Sequence, residues 1–439
     1  MAMVVKNNIG AKNTLNELDK NNKAAAKDLK KLASGMRINS AADDASGYSI
    51  SERMDVQIRS LDQDTANTQN GTSLLKTAEG AISSTVDILK TLKEKAINAA
   101  NDTNTDADRS TIQKEVDQAL DQIDENANVT FNGQTLLDGS KNDQVLAPGT
   151  YTHLTNESFQ DGTKTTTRLT NMKRKDGASV GIQIGDQVTV SYIKDGKTYS
   201  SDPIKVESDT FFGDILSWSP CDTDLDIVHY SDTSKIGLDR MGEEVHTLDG
   251  LSAISYHAKN PGLDGQISGL TICVTDSKGT PKTSTNATIN NFHETIRAED
   301  PSDDNALVFQ TGTKANQSVK IGFTDMRATA LGLKSSAGNT IQLTTQVAAN
   351  TAINAFDNAV SKALDLQTKI GSVQDRLGYT EANLVTASEN VLASKSTISD
   401  ADMAKEMTSY TKNNILSQAA QAMLAQANQS SSSVLSLLQ

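Results

Sequence analysis

No proline stands before Pro148 or after Pro301, which leaves two long ends free of the side chain that most firmly breaks a helix. All five histidines, both cysteines and the single tryptophan, Trp218, fall inside that same proline-bearing stretch. A chain segregated in this way has three parts: two ends that share one physics and a middle that obeys another.

The ends carry helical periodicity. Leu15, Leu18, Asn22, Ala25, Leu29, Leu32 and Met36 repeat at alternating spacings of three and four, a seam with one polar member. A second seam, Leu75, Ala78, Ile82, Thr85, Leu89, Leu92, Ala96 and Ala99, is reached from Met54, Ile58 and Leu61 through a threonine-lined stretch. A third is expected near 105–126, through Ile112, Val116, Ala119 and Ile123. Toward the C-terminus, Ile353, Phe356, Val360, Ala363, Gln367 and Ile370 continue after a one-residue slip as Val373, Leu377, Thr380, Leu384, Ala387 and Val391. The last seam holds Leu416, Ala420, Met423, Ala427, Val434 and Leu437. Heptads sustained for this long predict helix pairing with left-handed supercoil.

The middle alternates apolar and polar residues instead. SVGIQIGDQVTVSYIKDGKTYSSDPIKV predicts a hairpin series turning at Gly185-Asp186 and Asp195-Gly196, and LTICVTDSKGTPKT continues in that style. In VTFNGQTLLDG, Asn132-Gly133 predicts a small hairpin with a type I′ turn. The fold class expected is mostly α with a β-rich insert.

Only 36% of the residues are hydrophobic and 4% aromatic, too lean for one large globular core but sufficient for narrow seams between helices. No apolar run reaches the length that spans a bilayer, and the opening MAMVVKNNIGAKN lacks the apolar stretch and cleavage site of a Sec-type signal peptide. A net charge of −14 argues against nucleic acid as a partner. Cys221 and Cys273 allow at most one disulfide and suggest no metal site.

Between the first two helical patterns lies LASGMRINSAADDASGYSI, residues 32–50. Paired carboxylates beside an arginine fit an acid/base site, a metal site, or a hinge and contact loop between subunits. Gly35 and Gly47 permit bends, Asp43 is a candidate helix N-cap, and Arg37, Asn39, Asp43 and Asp44 can bridge neighbouring chains.

The stretches LASGMRINSAADDASGYSISERM (32–54), FNGQTLLDG (131–139), LVFQTGTKANQSVKIGF with ALGL (307–333), and ISDADMAKEM through AMLAQANQSSSSVLSLL (398–438) resemble bacterial flagellin, the subunit family of the flagellar filament. Hook–filament junction proteins are the nearest class, but their loop usually ends Asp-Asp-Pro, and here Ala45 follows Asp44. The resemblance implies long coiled-coil-like terminal helices, 1–44 and 395–439, forming an inner tube. It also implies a helical middle shell from 45–145 and 305–394, and an outward β-rich domain, 146–304. It implies head-to-tail self-assembly into an extracellular filament for swimming, with Leu15, Leu18, Leu29, Leu32, Leu416, Met423, Val434 and Leu437 on the inner seams. Residues 1–47 and 411–439 contain no aromatic, which suits close helix packing around a lumen.

Further implications are export in unfolded form through the flagellar type III apparatus, a dedicated chaperone on the C-terminal seam, and cap and hook-junction proteins as neighbours. No cofactor, metal or membrane partner is implied. A vertebrate innate receptor reads a middle-shell helix in this family. The matching stretch here runs from Leu89 to Ala96, with Thr91 in place of the usual arginine, Lys95 in place of leucine, and Glu115 as a further contact, so weakened recognition is expected. Some members carry a zinc protease in the insert. That chemistry needs His-Glu-x-x-His, and His293-Glu294-Thr295-Ile296-Arg297 lacks the second ligand. No enzymatic activity is expected. The alternatives are a junction protein, or a filament subunit whose outer domain is an adhesin or carries glycans on runs such as Thr165-Thr166-Thr167.

Overall fold

The computed structural model describes residues 8–215, 224–230, 235–247 and 253–437. The chain begins with α1 (Ile9–Ser34), α2 (Ala45–Ala99) and α3 (Asp106–Ala127), followed by the hairpin β1 (Thr130–Phe131) and β2 (Gln134–Thr135). The insert supplies β3 (His153–Asn156), β4 (Gln187–Lys194), β5 (Lys197–Ser200), β6 (Ile204–Lys205), β7 (Leu225–Tyr230), β8 (Lys235–Leu238), β9 (Glu244–His246), β10 (Ala253–Ala258) and β11 (Ile267–Thr275). A short α4 (Thr283–Ile289) and β12 (His293–Ile296) precede the pair β13 (Leu307–Gln310) and β14 (Ser318–Ile321). Two long helices close the chain, α5 (Gln346–Ser399) and α6 (Met403–Leu437). The fold is thus mostly α with a β-rich insert.

Local chemistry sets the helix ends. The Asn8 carboxamide accepts from Ala11 N at 2.9 Å, and α1 stops at Gly35, whose φ of 69° is open to glycine at little cost. Thr105 and Asp108 form a reciprocal capping box at α3. Asp402 receives the amides of Ala404 and Lys405 and starts α6.

The chain divides into two compact units. One contains Met1–Gln69, Gln310–Gln317 and Tyr379–Gln439; the other contains Asn70–Phe309 and Ser318–Gly378. In the second unit, every member of the seam from Leu75 to Ala99 is buried. It packs with Val116, Leu120 and Ile123 of α3 and with Phe356, Ala363, Ile370 and Leu377 of α5. The α5 residues fall seven apart, so the heptad is real, but Ile353, Val360 and Val373 are only partly buried. Ala352, Ala355, Ala359 and Leu366 are buried as well, because here α5 has to serve two faces.

Its second face meets the insert. The sheet β11-β4-β5, with β6 also on β4, is antiparallel, as is the sheet β12-β3-β10-β7. The sheets share a core in which Val188, Val190 and Tyr192 of β4 join Leu154, Ile254 and Tyr256. On its other side, β4 turns Ser191 toward Thr351 of α5, hydroxyl to hydroxyl at 2.9 Å. The exposed face that alternation predicts for β4 is therefore replaced by helix packing. The strand β11 approaches α5 so closely that a Cβ on Gly269 would lie 2.4 Å from the Thr351 carbonyl, and its φ is +64°. Asn286 of α4 and Asn290, which caps that helix one turn on, each exchange hydrogen bonds with β11 backbone, at Val274 and Ile272, and occupy its edge as a strand would.

The expected turns at Asn132-Gly133 and Asp195-Gly196 both have positive φ at both residues, as type I′ requires. Gly185 also turns, but residues 181–184 before it form no strand, and LTICVTDSKGTPKT leads from β11 into α4 rather than into a second strand. There Asp276 holds the loop by accepting from the amides of Lys278 and Thr280. Gly269→Ala is expected to lower unfolding stability by about 2–4 kcal/mol, read from urea or thermal denaturation. An unchanged midpoint would mean that β11 does not lie against α5 as described.

Candidate assembly surface

Helices α1 and α6 pair antiparallel through a seam that is largely polar. Lys31 meets Glu406 at 3.0 Å, Asn413 donates to Asp28 at 2.7 Å, Ser417 donates to Asn22 at 2.6 Å, and Asn8 donates to the Ala427 carbonyl at 3.2 Å. Each rung is a modest net gain, but together they fix one register. No side chain of α1 is fully buried.

The seam expected on α1 is therefore two lines rather than one. Leu18 and Leu32 are half-buried, whereas Leu15, Leu29 and Met36 are exposed. On α6, Ala420 and Ala427 are half-buried, while Leu416 and Met423 are open, along with Met403, Met407 and Ile415. Met423 is 64% exposed and Ile415 60%. Apolar or small residues surround α6, so spacing alone does not say which line faces α1, and Asn413 and Ser417 decide it. The side chains of Val434 and Leu437 lie outside the described residues.

Residues 35–44 form a clasp with the α5–α6 junction. Ala401 N donates to Gly35 O at 2.9 Å, Arg37 N donates to Ser399 O at 2.7 Å, and the Arg37 guanidinium donates to Ile398 O at 2.6 Å. Asn39 donates its side-chain amide to Met36 O, and its backbone amide to Asp43. Asp43 also accepts from Ser40 and pairs with Lys27 at 3.0 Å. The Lys27 hydrogen bond, with the Asn39 amide, holds the Asp43 carboxyl below its usual range. The N-cap of α2 is Asp44 rather than Asp43. Its Oδ1 accepts from Ser46 N at 3.1 Å and Gly47 N at 3.0 Å, while Asp43 is held one position earlier in a turn closed on Ser40.

Gly47 is not a bend; it sits in the first turn of α2. A Cβ there would lie 2.5 Å from Asp44 Oδ2 and 2.6 Å from Ile38 Cδ1. Ile38, which belongs to none of the periodic seams, is buried and is the apolar pin of this joint; its only signal is an isoleucine among polar neighbours. Beyond the joint, the unit's α2 and α5 segments are bridged every seven residues, by Asp55 with Lys395, Ser388 with Asp62 at 3.0 Å, and Gln69 with Glu381 at 2.7 Å. Asp64 lies buried on the same α2 segment with Oδ2 unpartnered, and burial pushes its carboxyl up.

Both carboxylates of the Asp43–Asp44 pair are thus engaged in turn, cap and ion pair. No cluster of three or more His, Cys, Asp or Glu suited to a metal occurs among the described residues. His293 and Glu294 lie on strand β12, not on a helix. On the α2 stretch named for the innate receptor, Leu89 is fully buried and is a core residue, not a contact. Thr91 is exposed and bonds back to Asp87 O, and Lys95 pairs with Glu115 at 2.5 Å. Cys273, on β11, is half-buried with its thiol pushed up by burial, and Cys221 lies outside the described residues.

Two family models match this chain: the bacterial flagellin N-terminal helical region over residues 5–142, and the bacterial flagellin C-terminal helical region over 353–438. A flagellin of Clostridium tyrobutyricum is 35% identical over 429 residues, covering 97% of this chain and 99% of the relative. A flagellin of Bacillus subtilis is 30% identical, covering 99% of this chain and all of the relative. Among solved structures, FliC from Burkholderia pseudomallei matches 70% of this chain and 99% of its own at 16% identity and a TM-score of 0.27, too low to bear on the fold. With matched helical regions at both ends and full-length relatives at this identity, the chain belongs to the bacterial flagellin family, the structural subunits of the flagellar filament.

Proposed function

We propose that this subunit polymerises head to tail through its two terminal helices, with 1–44 and 395–439 as the inner tube. Residues 45–145 and 305–394 then make the middle shell, and 146–304 the outward domain. The observation that carries the reading is the α1–α6 pair itself. Its internal seam is polar, while Leu15, Leu29, Leu416, Ile415 and Met423 stay open on its outer sides. Apolar lines of this length on a lone subunit call for partners, and a heterologous contact propagates where an isologous one would close. The clasp through Gly35, Arg37, Asn39, Asp43 and Asp44 holds the pair at a fixed joint.

Filament membership implies an extracellular site and other flagellar proteins as neighbours. Export through the type III route, a chaperone on α6 and innate-receptor contact at Thr91, Lys95 and Glu115 extend the proposal. In the last, the Lys95–Glu115 pair engages at home the carboxylate that a receptor would read, which adds a third feature opposing recognition to the departures at Thr91 and Lys95.

Removal of 1–44 or of 396–439 is expected to give a soluble chain with the α2–α3–α5 core folded and no polymer by electron microscopy. Filaments from either truncation would sink the proposal. Gly47→Ala, by pressing on Ile38 and Asp44, should cost on the order of 1–3 kcal/mol at the joint and raise the monomer concentration needed for polymerisation. An unchanged threshold in a sedimentation assay would remove the joint from the assembly mechanism. For receptor recognition, Thr91→Arg with Lys95→Leu should tighten monomer binding on the order of thirtyfold, since one interface arginine is worth about 2 kcal/mol. No tightening would show that this helix face is not read.

A further inference from the structure

The insert contains a cross-strand histidine pair that lies outside the proposed assembly surface. His153 on β3 stands opposite His257 on β10, their rings stacked with centroids 5.2 Å apart and planes within 16°. His153 is 7% exposed, and the Nδ1 atom of each ring is buried without a hydrogen-bond partner. The β8–β9 hairpin lies over the His153 side of this pair. Gly237 sits so near that an added Cβ would lie 3.1 Å from His153 Nε2 and 2.7 Å from Ile296 Cδ1. The fit works only while the rings beneath it are neutral. A proton on either Nδ1 creates a buried donor with no acceptor, and protons on both place like charges in stacked rings.

From this geometry we infer that the His153–His257 stack is an acid-released latch. Protonation frees the β8–β9 hairpin and loosens the β12-β3-β10-β7 sheet. The α2–α3–α5 core holds no histidine and stays closed. The charged and titratable groups on the surrounding strands include Asp226 of β7, Lys259 just past β10, Glu244 and His246 of β9, and His293 and Glu294 of β12; His229 of β7 and Lys235 of β8 are on them too, with side chains outside the described residues. Asp226 favours a charge on His257 and Lys259 opposes it, so neither cancels the effect of burial.

Linkage sets the direction. Burial, reinforced by His257, holds the His153 imidazole down at about 4, and burial also lowers His257. A group lowered in the folded state contributes stability that is present above its unfolded value, near 6.5, and is lost as pH falls through the folded value. For His153 alone, moving from pH 7 to 4.5 shifts the opening equilibrium roughly sixtyfold toward the open form.

The test is hydrogen exchange by mass spectrometry on the full chain at pH 7 and 4.5, corrected for the intrinsic pH dependence of exchange. Peptides spanning 153–156, 235–246 and 253–258 should lose protection roughly sixtyfold, and α2 and α5 peptides far less. His153→Gln should remove most of that difference. If it does not fold, His257→Gln, at the less buried ring, should still reduce it. Proton NMR of the imidazole C2–H signals, assigned by the same variants, should place His153 well below the ordinary histidine range. A His153 titration near 6.5, acid-insensitive exchange in these peptides, or the same acid loss in both variants would overturn the latch.

Discussion

The α1–α6 pair is registered by polar contacts, Lys31 with Glu406, Asn413 with Asp28, Ser417 with Asn22 and Asn8 with the Ala427 carbonyl, and the proposed assembly depends on that. A net gain of about 0.5–1.5 kcal/mol per hydrogen bond sets the register of two helices but does little to offset the entropy of ordering them. Apolar burial would add far more, at roughly 1.5–3 kcal/mol for each large side chain, yet Leu15, Leu29, Leu416 and Met423 are exposed and Leu18 and Leu32 only half-buried. The subunit therefore keeps its largest potential gain for contacts that a single chain cannot make. In the proposed polymer these side chains become buried, so a weakly held pair in the single chain and its burial on assembly would follow from the same arrangement.

The opposite choice is made on α5. Between Gln346 and Gly378 this helix is used on two faces, one by the α2 and α3 heptads and the other by β4 and β11. The second face includes Lys362, which meets Glu294 of β12 at 3.3 Å with both side chains 7% exposed. A buried pair of this kind is a poor source of net stability but punishes any other alignment, since a shifted insert would leave the buried Lys362 ammonium without its carboxylate. The tight steric fit at Gly269 acts in the same direction. The insert is thus fixed on its helix by what misalignment would cost, more than by an excess of apolar area.

Much of this was legible in the sequence. The Leu75–Ala99 seam is buried throughout, the Phe356–Ile370–Leu377 heptad holds, and both turns with paired positive φ stand where Asn-Gly and Asp-Gly appear. Periodicity reports which residues share a face. It does not report which of several apolar faces a given partner covers, and so Leu15 and Leu29 in the α1 seam, and Leu416 and Met423 in the α6 seam, prove open. Capping is decided at the level of a single residue, and two adjacent aspartates look alike until the turn at Ser40 shows which one reaches the amides of Ser46 and Gly47. Close approach leaves even less trace: Gly47 and Gly269 resemble flexible positions in the sequence and are tight ones in the fold. The α2 stretch that matches the receptor motif shows the same limit, since Leu89 matches a motif letter but is spent in the core.

Polar pairing and steric fit act together at the joint. Arg37 and Gly35 pair through their backbones with Ser399 and Ala401, so the end of α1 and the start of α6 are anchored to each other as well as along their seam. A bend at Gly35 would break the hydrogen bond to Ala401 N, and a bend between Ser399 and Met403 would break the one from Arg37 N. Neither helix can therefore swing alone without leaving buried or half-buried backbone groups unpaired. Glycine at 35 gives the chain the left-handed turn it needs, and the clasp then takes that freedom away. What looks in the sequence like a flexible, acidic hinge is, in the folded unit, a lock that makes two terminal helices move as one.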